Sequence, residues 1–400
     1  MQRRNFIKHS SLALGGLLLN NQLMSNVEHP PGEKITIGII GCGDRGKGIM
    51  ETLKELSDRF KITSICDIFD YRLKEAQKLG FAEELKEYTD YRKLLDDKNI
   101  QAVIIASPLH LHYAMAVDAL NAGKHVYLEK TMTYSIQQAI DLVKLSKLHS
   151  NQILQVGHQL SYTPLYIKVK KMIESGSLGK VTQIDCRYDR NTNWRRPVPD
   201  PTLEKVINWR MYKAFSGGIA AELLSHQIEF INWAFNTHPD EIYAAGGIDF
   251  YKDGRDTYDN VQVMLRYNKD QIIGNFGGTC SNAREGYIVK IKGSKGTLEL
   301  LMDEGVYYPE GATKAELQTV DGVAGATKID WKKDGGIAIT KEPMKEATWY
   351  AFQDFYRCII EKNAPLSGVI SGGTTAVTVH LANIALYTQT IQHWKPAYNF

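Results

Sequence analysis

From Lys34 to about Gly157, short apolar runs alternate with amphipathic segments of helical period, the pattern that a parallel sheet with crossover helices requires. The strand-like runs are 35–40, 62–66, 102–106, 125–128 and 153–156; segments 46–59, 71–79, 112–122 and 136–149 between them carry apolar positions at helical spacing. In a doubly wound sheet, ligands bind beyond the carboxyl ends of the strands. Ser107-Pro108, Glu129-Lys130 and Gly157-His158-Gln159 are therefore expected to line one crevice.

After Gln159 the texture changes. A helix is predicted at 164–175, a strand at 181–189, a polar Trp- and Pro-rich stretch at 191–209 and a further helix at 218–235. Alternating runs at 241–246, 260–266, 271–277, 287–292 and 297–301, separated by turn residues, predict an antiparallel sheet. Residues 302–340 read as polar hairpins or loops, and 347–362 and 373–392 as closing helices. The expected architecture is α/β: a doubly wound parallel sheet over 31–158, then an α+β domain over 159–400 with a mainly antiparallel open sheet.

The first strand runs directly into Gly41-Cys42-Gly43-Asp44-Arg45-Gly46, a G-x-G-x-x-G turn opening a helix. Gly41 permits the tight turn, Gly43 lets the backbone approach a pyrophosphate, and Gly46 lets the helix pack close to the strand, its N-terminus aimed at negative charge. The second run ends in Asp67, about twenty residues on, where a carboxylate binds adenosine ribose hydroxyls and repels a 2′-phosphate. The sequence therefore points to NAD rather than NADP as cofactor.

Composition narrows the function classes. Four hundred residues with 43% hydrophobic content can bury two cores, and a net charge of +3 leaves no nucleic-acid footprint. Five widely spaced Cys without a C-x-x-C pair indicate neither a disulfide framework nor a zinc site. His110 and His112 have no carboxylate or Cys nearby to complete a ligand set, so no metal is expected, and they are read as lining the cofactor pocket or packing at the helix N-terminus. Arg3-Arg4-Asn5-Phe6-Ile7-Lys8, followed by the apolar stretch 12–19, reads as a twin-arginine export leader over 1–30. The expectation is a periplasmic or otherwise exported bacterial protein that carries its nucleotide with it. No later apolar stretch is expected to reach the twenty or so residues that cross a bilayer.

Further motifs resemble those of the Gfo/Idh/MocA oxidoreductases, the group of glucose-fructose oxidoreductase and inositol dehydrogenase. Ala106-Ser107-Pro108-Leu109-His110-Leu111-His112 is similar to that family's A-T-P-x-x-x-H turn, and Ala122-Gly123-Lys124-His125-Val126-Tyr127-Leu128-Glu129-Lys130 to its A-G-K-H-V-x-x-E-K-P segment. Gly217 to His226 is similar to its G-G-x-x-x-D-x-x-x-H helix. Thr131 stands where the family usually has Pro, and Glu222 where it usually has Asp. The resemblance implies a Rossmann domain that binds NAD through the glycine turn, Asp67, Ser107, Pro108, His110, His112, Glu129, Lys130 and His158. It also implies a substrate and dimerisation domain, and hydride chemistry in which Lys130, Glu222 and His226 take the roles of the family's Lys, Asp and His.

Glu222 and His226 are four residues apart, on one face of a helix. His226 is the natural base for a hydroxyl proton, Glu222 orients it or binds a neighbouring hydroxyl, and Lys130 polarises the reacting oxygen. Aromatics interleaved with cations at Tyr188, Arg190, Trp194, Arg195, Trp209 and Tyr258 suit a carbohydrate-sized pocket. The leading expectation is an NAD-dependent dehydrogenase acting on a secondary hydroxyl of a sugar, glycoside or cyclitol, with glycoside C3 as the position expected. It would be a homo-oligomer, with a second carbonyl substrate or an electron acceptor to recycle NAD. The alternative is an NAD-dependent glycosidase of the family 109 type, which oxidises C3 transiently and eliminates the aglycone. That branch's Y-P-T-H type segment is not found here.

Overall fold

The computed structural model describes residues 33–81, 84–310, 316–320, 323–328 and 336–400, so the expected leader over 1–30 lies outside the described residues. The parallel sheet contains β1 (Ile35–Ile40), β2 (Phe60–Cys66), β3 (Lys86–Tyr88), β4 (Ala102–Ile105), β5 (His125–Leu128) and β6 (Leu154–Val156), in the order β3-β2-β1-β4-β5-β6. Helices α1 (Asp44–Lys54), α2 (Asp70–Gln77), α3 (Tyr91–Leu95), α4 (His112–Asn121) and α5 (Ile136–Leu148) connect the strands. All four residues of β4 are buried, as a strand covered on both faces requires. The order reverses between β1 and β4, which opens the crevice at their carboxyl ends.

The second sheet follows α6 (Pro164–Glu174), a helix started by Pro164 and by the Thr163 hydroxyl, which accepts from the Tyr166 N–H. Next come β7 (Val181–Tyr188), α7 (Glu204–Ile207), α8 (Ser225–Phe235), β8 (Glu241–Gly247), β9 (Asn260–Tyr267), β10 (Ile272–Thr279), β11 (Tyr287–Gly293), β12 (Gly296–Leu300) and β13 (Gly305–Pro309). A separate hairpin joins β14 (Glu316–Val320) to β15 (Val323–Lys328), and β16 (Ile337–Ala338), α9 (Ala347–Glu361), α10 (Val369–Thr388) and β17 (Gln392–His393) close the chain. The nine-stranded order is β16-β13-β12-β11-β7-β10-β9-β8-β17. Among the described pairings of this sheet, β7 with β10 is parallel and the others antiparallel.

Three details differ from the sequence reading. Helix α9, assigned to the second domain, packs on the first sheet: Phe352 and Phe355 are fully buried in that core, and the Phe352 ring stacks on Tyr127 at 4.5 Å. Helix α10 begins at Val369 rather than Gly373, because its two glycines are contact points, not a helix start. A Cβ on Gly372 would lie 2.6 Å from Val156, and one on Gly373 would lie 2.9 Å from Phe400 and Val143. Helix α10 is also long and apolar enough, by length and composition, to cross a membrane, contrary to expectation; 67% of its apolar window is buried inside the fold, against α8, α5 and β8.

Candidate functional site

Gly41, at the end of β1, has φ +97°, and a Cβ there would lie 2.6 Å from the Ala106 carbonyl oxygen. A Cβ on Gly46 would fall on the Gly41 carbonyl, far inside the 3.0 Å that real Cβ atoms keep. Gly46 is buried and serves packing, whereas a Cβ on Gly43 would meet nothing within 4 Å. The turn is thus closed on its protein side and open on the other. It opens into a cleft of about 970 Å³ that runs from the glycine turn past the ends of β4 and β5 to the edge of the second sheet.

Asp67 lies at the end of β2, 6% exposed. Its carboxylate accepts the Cys42 N–H at 2.9 Å and the Phe69 N–H at 3.0 Å, so it shapes the turn while lining the cleft. The walls carry buried polar atoms with no hydrogen-bond partner among the described residues, including Ser107 Oγ, His110 Nδ1, Gln159 Oε1 and His226 Nδ1. An open glycine face at a helix N-terminus, an acid at the second strand end and unsatisfied polar atoms along the wall together fit a dinucleotide such as NAD.

Several residues assigned to the cofactor hold the wall in place. Arg45 donates from Nε to Glu129 Oε1 at 2.7 Å and from Nη1 to Thr348 Oγ1 at 3.2 Å, tying the glycine turn to the β5 end and to α9. Asp44 pairs with Arg196, which reaches across from the second domain. The His112 ring sits between two carbonyls, Thr131 O at 2.8 Å from Nδ1 and Ser107 O at 3.0 Å from Nε2. A neutral ring donates its one N–H to one of these carbonyls, so His112 joins the β4 and β5 loops from a position in the cleft wall. Pro108 lines the cleft, and so does His110, with its ring edge-on to Phe215 at 4.8 Å. His158 lies behind the wall, 6.0 Å from His226 between ring centroids, and burial pushes its pKa down to about 3.

Lys130, Glu222 and His226 converge at the other end of the cleft. Residues Ala220–Leu224, expected as ordinary helix, form a π-helical turn leading into α8, a distortion frequent at functional sites. Carbonyls in this turn take side-chain donors from the first domain: Lys130 Nζ donates to Glu222 O at 2.7 Å, and Thr131 Oγ1 to Ala221 O at 3.0 Å. The Glu222 carboxylate does not bond His226, which corrects the expected orienting role. It accepts from Arg210 Nε at 2.9 Å and lies 3.9 Å from Lys130 Nζ. Burial raises the Glu222 pKa, but the Lys130 and Arg210 charges outweigh it and hold the carboxyl below its usual range. Burial lowers Lys130, with Glu222 opposing. Burial and then the Lys130 charge push His226 well below the ordinary imidazole value.

Among the residues read as a sugar pocket, Tyr188, Arg190, Trp194 and Trp209 line the cleft. Arg195 does too, but its guanidinium is held by Glu204 and Asp253, which makes it an anchor for the 191–209 loop. Tyr258 is absent from the cleft lining; its ring packs on Tyr387 at 4.5 Å, a correction. Nothing in the sequence marks the Thr131 hydroxyl as a functional group or Arg210 as the partner of the Glu222 carboxylate. Arg210 was visible only as part of a Trp-Arg pair, and Thr131 only as a departure from a motif.

The profile described as the oxidoreductase family, NAD-binding Rossmann fold, matches residues 35–158, and that of the GFO/IDH/MocA C-terminal domain matches 166–299. The chain is 26% identical over 356 residues to the inositol 2-dehydrogenase/D-chiro-inositol 3-dehydrogenase of Lactiplantibacillus plantarum, covering 86% of this chain and 89% of that one. It is 28% identical over 272 residues to the myo-inositol 2-dehydrogenase of Thermotoga maritima, covering 66% and 74%. Two solved structures share the fold. An oxidoreductase domain protein from Kribbella flavida has a TM-score of 0.74 at 17% identity, and levoglucosan dehydrogenase in complex with NADH and levoglucosan has 0.72 at 20%; each covers 90% of this chain and 99% of its own. The profile matches fall on the glycine turn and on the sheet that faces it, so the chain belongs to the Gfo/Idh/MocA family and is an NAD-dependent oxidoreductase.

Proposed function

We propose that the protein oxidises a secondary hydroxyl of a sugar, glycoside or cyclitol, with glycoside C3 as the specific target. In this reading the 31–158 domain holds the dinucleotide and the 159–400 domain presents the substrate. The observation that carries it is the convergence of Lys130, Glu222 and His226 in the cleft that begins at the glycine turn. The relatives named as inositol dehydrogenases support a polyol substrate. Bound NAD supplies a hydride acceptor.

The residues supply the proton chemistry. His226, neutral at ordinary pH because of burial and the nearby ammonium, takes the hydroxyl proton. Lys130, fixed by the Glu222 carbonyl and carboxylate, stabilises negative charge that develops on the oxygen. Glu222 keeps that cation in place. Arg3-Arg4 supports export as part of the proposal, and a second carbonyl substrate or electron acceptor then restores the oxidised cofactor. Met264 and Ile273, both 38% exposed on neighbouring strands of the second sheet, support homo-oligomerisation through that sheet.

Thr131 bears on positioning. Thr131→Val removes the hydroxyl that holds Ala221 O and keeps the side-chain shape, so kcat should fall about tenfold at little change in NAD affinity, with Thr131→Ser restoring most of it. Equal kcat for the Val variant would assign the hydrogen bond to stability alone.

To test the function, the purified protein is incubated with NAD, myo-inositol, monosaccharides and aryl glycosides while NADH, ketosugar and aglycone are followed together. Ketosugar with stoichiometric NADH supports the proposal. Aglycone release without net NADH replaces it with the family 109 type of hydrolysis.

A further inference from the structure

The cleft has a charge surplus with a definite location. Nine Lys and Arg side chains line it against five carboxylates, and each of those carboxylates already has its own cation within 4 Å. Arg195 is committed to Glu204 and Asp253. The two negative charges of a pyrophosphate offset part of what is left at the glycine turn. Arg190 and Lys205 are the cleft cations with no carboxylate within 4 Å among the described residues; both are exposed, Lys205 on α7 beside the Tyr212 ring.

Arg190 is placed differently, at the reacting end. Its backbone N–H donates to Thr279 O at 2.8 Å, which fixes it at the end of β7. Its Nη2 donates to the Tyr188 hydroxyl at 3.0 Å, with the guanidinium 5.2 Å from that ring's centroid. The same ring lies 6.5 Å from His226. Lys130, Arg190 and Arg210 therefore stand at this end against Glu222, beside the mutually neutral Arg45–Glu129 pair; Asp189, Glu285 and Asp303 line the neighbouring hollow that Arg190 also borders, none of them within 4 Å of a cation among the described residues. A surplus cation on a cleft wall is stabilised by a ligand that brings the missing negative charge and covers it from water, and a guanidinium held by one hydrogen bond keeps most of its donor fork free for a planar oxyanion.

We infer that the substrate is an anionic sugar, of the uronic acid kind, whose carboxylate is taken by Arg190 beside Tyr188. This rests on the hydroxyl-oxidation reading above and adds the substrate's charge. A phosphate ester shares the chemistry, so the test must separate the two.

The test measures kcat/KM with NAD for D-glucuronate, D-galacturonate, methyl β-D-glucuronoside, D-glucose 6-phosphate, D-glucose, methyl β-D-glucoside and myo-inositol, in the parent protein, Arg190→Ala and Arg190→Lys. The uronates should exceed the neutral sugars by roughly 10- to 100-fold, and that preference should shrink as ionic strength rises. Arg190→Ala should bring the ratio of acid to neutral sugar close to one, and Arg190→Lys should retain part of it. Unchanged thermal unfolding of the variants checks that the fold is intact. Preference for the phosphate ester alone, preference for neutral sugars, or an acid preference that survives Arg190→Ala overturns the inference. Oxidation of none of these compounds overturns the hydroxyl-oxidation reading and this inference with it.

Discussion

Lys130→Met is expected to lower kcat/KM by about 10³-fold while NAD still binds, because the substitution keeps the length of the side chain and removes its charge and its three donors. Two consequences follow from where the ammonium sits. It bonds the Glu222 carbonyl at 2.7 Å, so its loss leaves a buried carbonyl in the π-helical turn unsatisfied and loosens the element that carries Glu222 and His226. After burial itself, its charge is also the largest influence holding His226 down. Removing a positive charge favours the protonated imidazole, so the His226 pKa must rise. The residual activity of the variant should then lose its acid limb at a higher pH than the parent does. Steady-state rates across pH, with NAD affinity from fluorescence titration, check both parts. An unchanged acid limb would separate Lys130 from His226, and a parallel loss of NAD affinity would place Lys130 in cofactor binding instead.

What could be read from the sequence was what local signals encode. Strands β1, β2, β4, β5 and β6 announce themselves as buried apolar runs, and the glycine turn with Asp67 marks the cofactor's end of the cleft. Strand β3 carries no such run: Lys86-Glu87-Tyr88 is a three-residue edge strand defined by its pairing with β2. The reacting end is harder, because its contacts join segments far apart in sequence. Thr131 meets Ala221 across 90 residues and Lys130 meets Glu222 across 92, distances at which no periodicity operates. Helical spacing brought Glu222 and His226 into one site but could not show that Arg210 takes the carboxylate, nor that the turn is π-helical. Aromatic and cationic composition identified the pocket's character without sorting its members. Arg195 and Tyr258 have the same chemistry as Arg190 and Tyr188, and only tertiary contacts with Asp253, Glu204 and Tyr387 show that they serve the scaffold.

The two glycines on either side of Asp44-Arg45 offer a sharper separation of fold from function. Gly43 has φ −69° and ψ −170°, extended backbone that alanine adopts freely, and its Cβ would meet nothing within 4 Å. Gly43→Ala should therefore leave thermal stability unchanged or slightly raised, while a methyl group on the open side of the turn lowers NAD affinity by about 100-fold, because it occupies the side on which a pyrophosphate must approach. Gly46→Ala should do the reverse first. Its Cβ would collide with the Gly41 carbonyl, a backbone atom that cannot rotate away, so α1 must lift from β1 at a cost of about 3 kcal/mol. Loss of NAD binding in that variant is then a consequence of a displaced helix N-terminus and comes with a lower Tm. Calorimetric NAD titration and thermal unfolding of the two variants give a two-by-two comparison. If Gly43→Ala binds NAD as the parent does, the open side of the turn is not the pyrophosphate site, and the cofactor must be held elsewhere along the cleft, by Ser107, His110 and the β5 end.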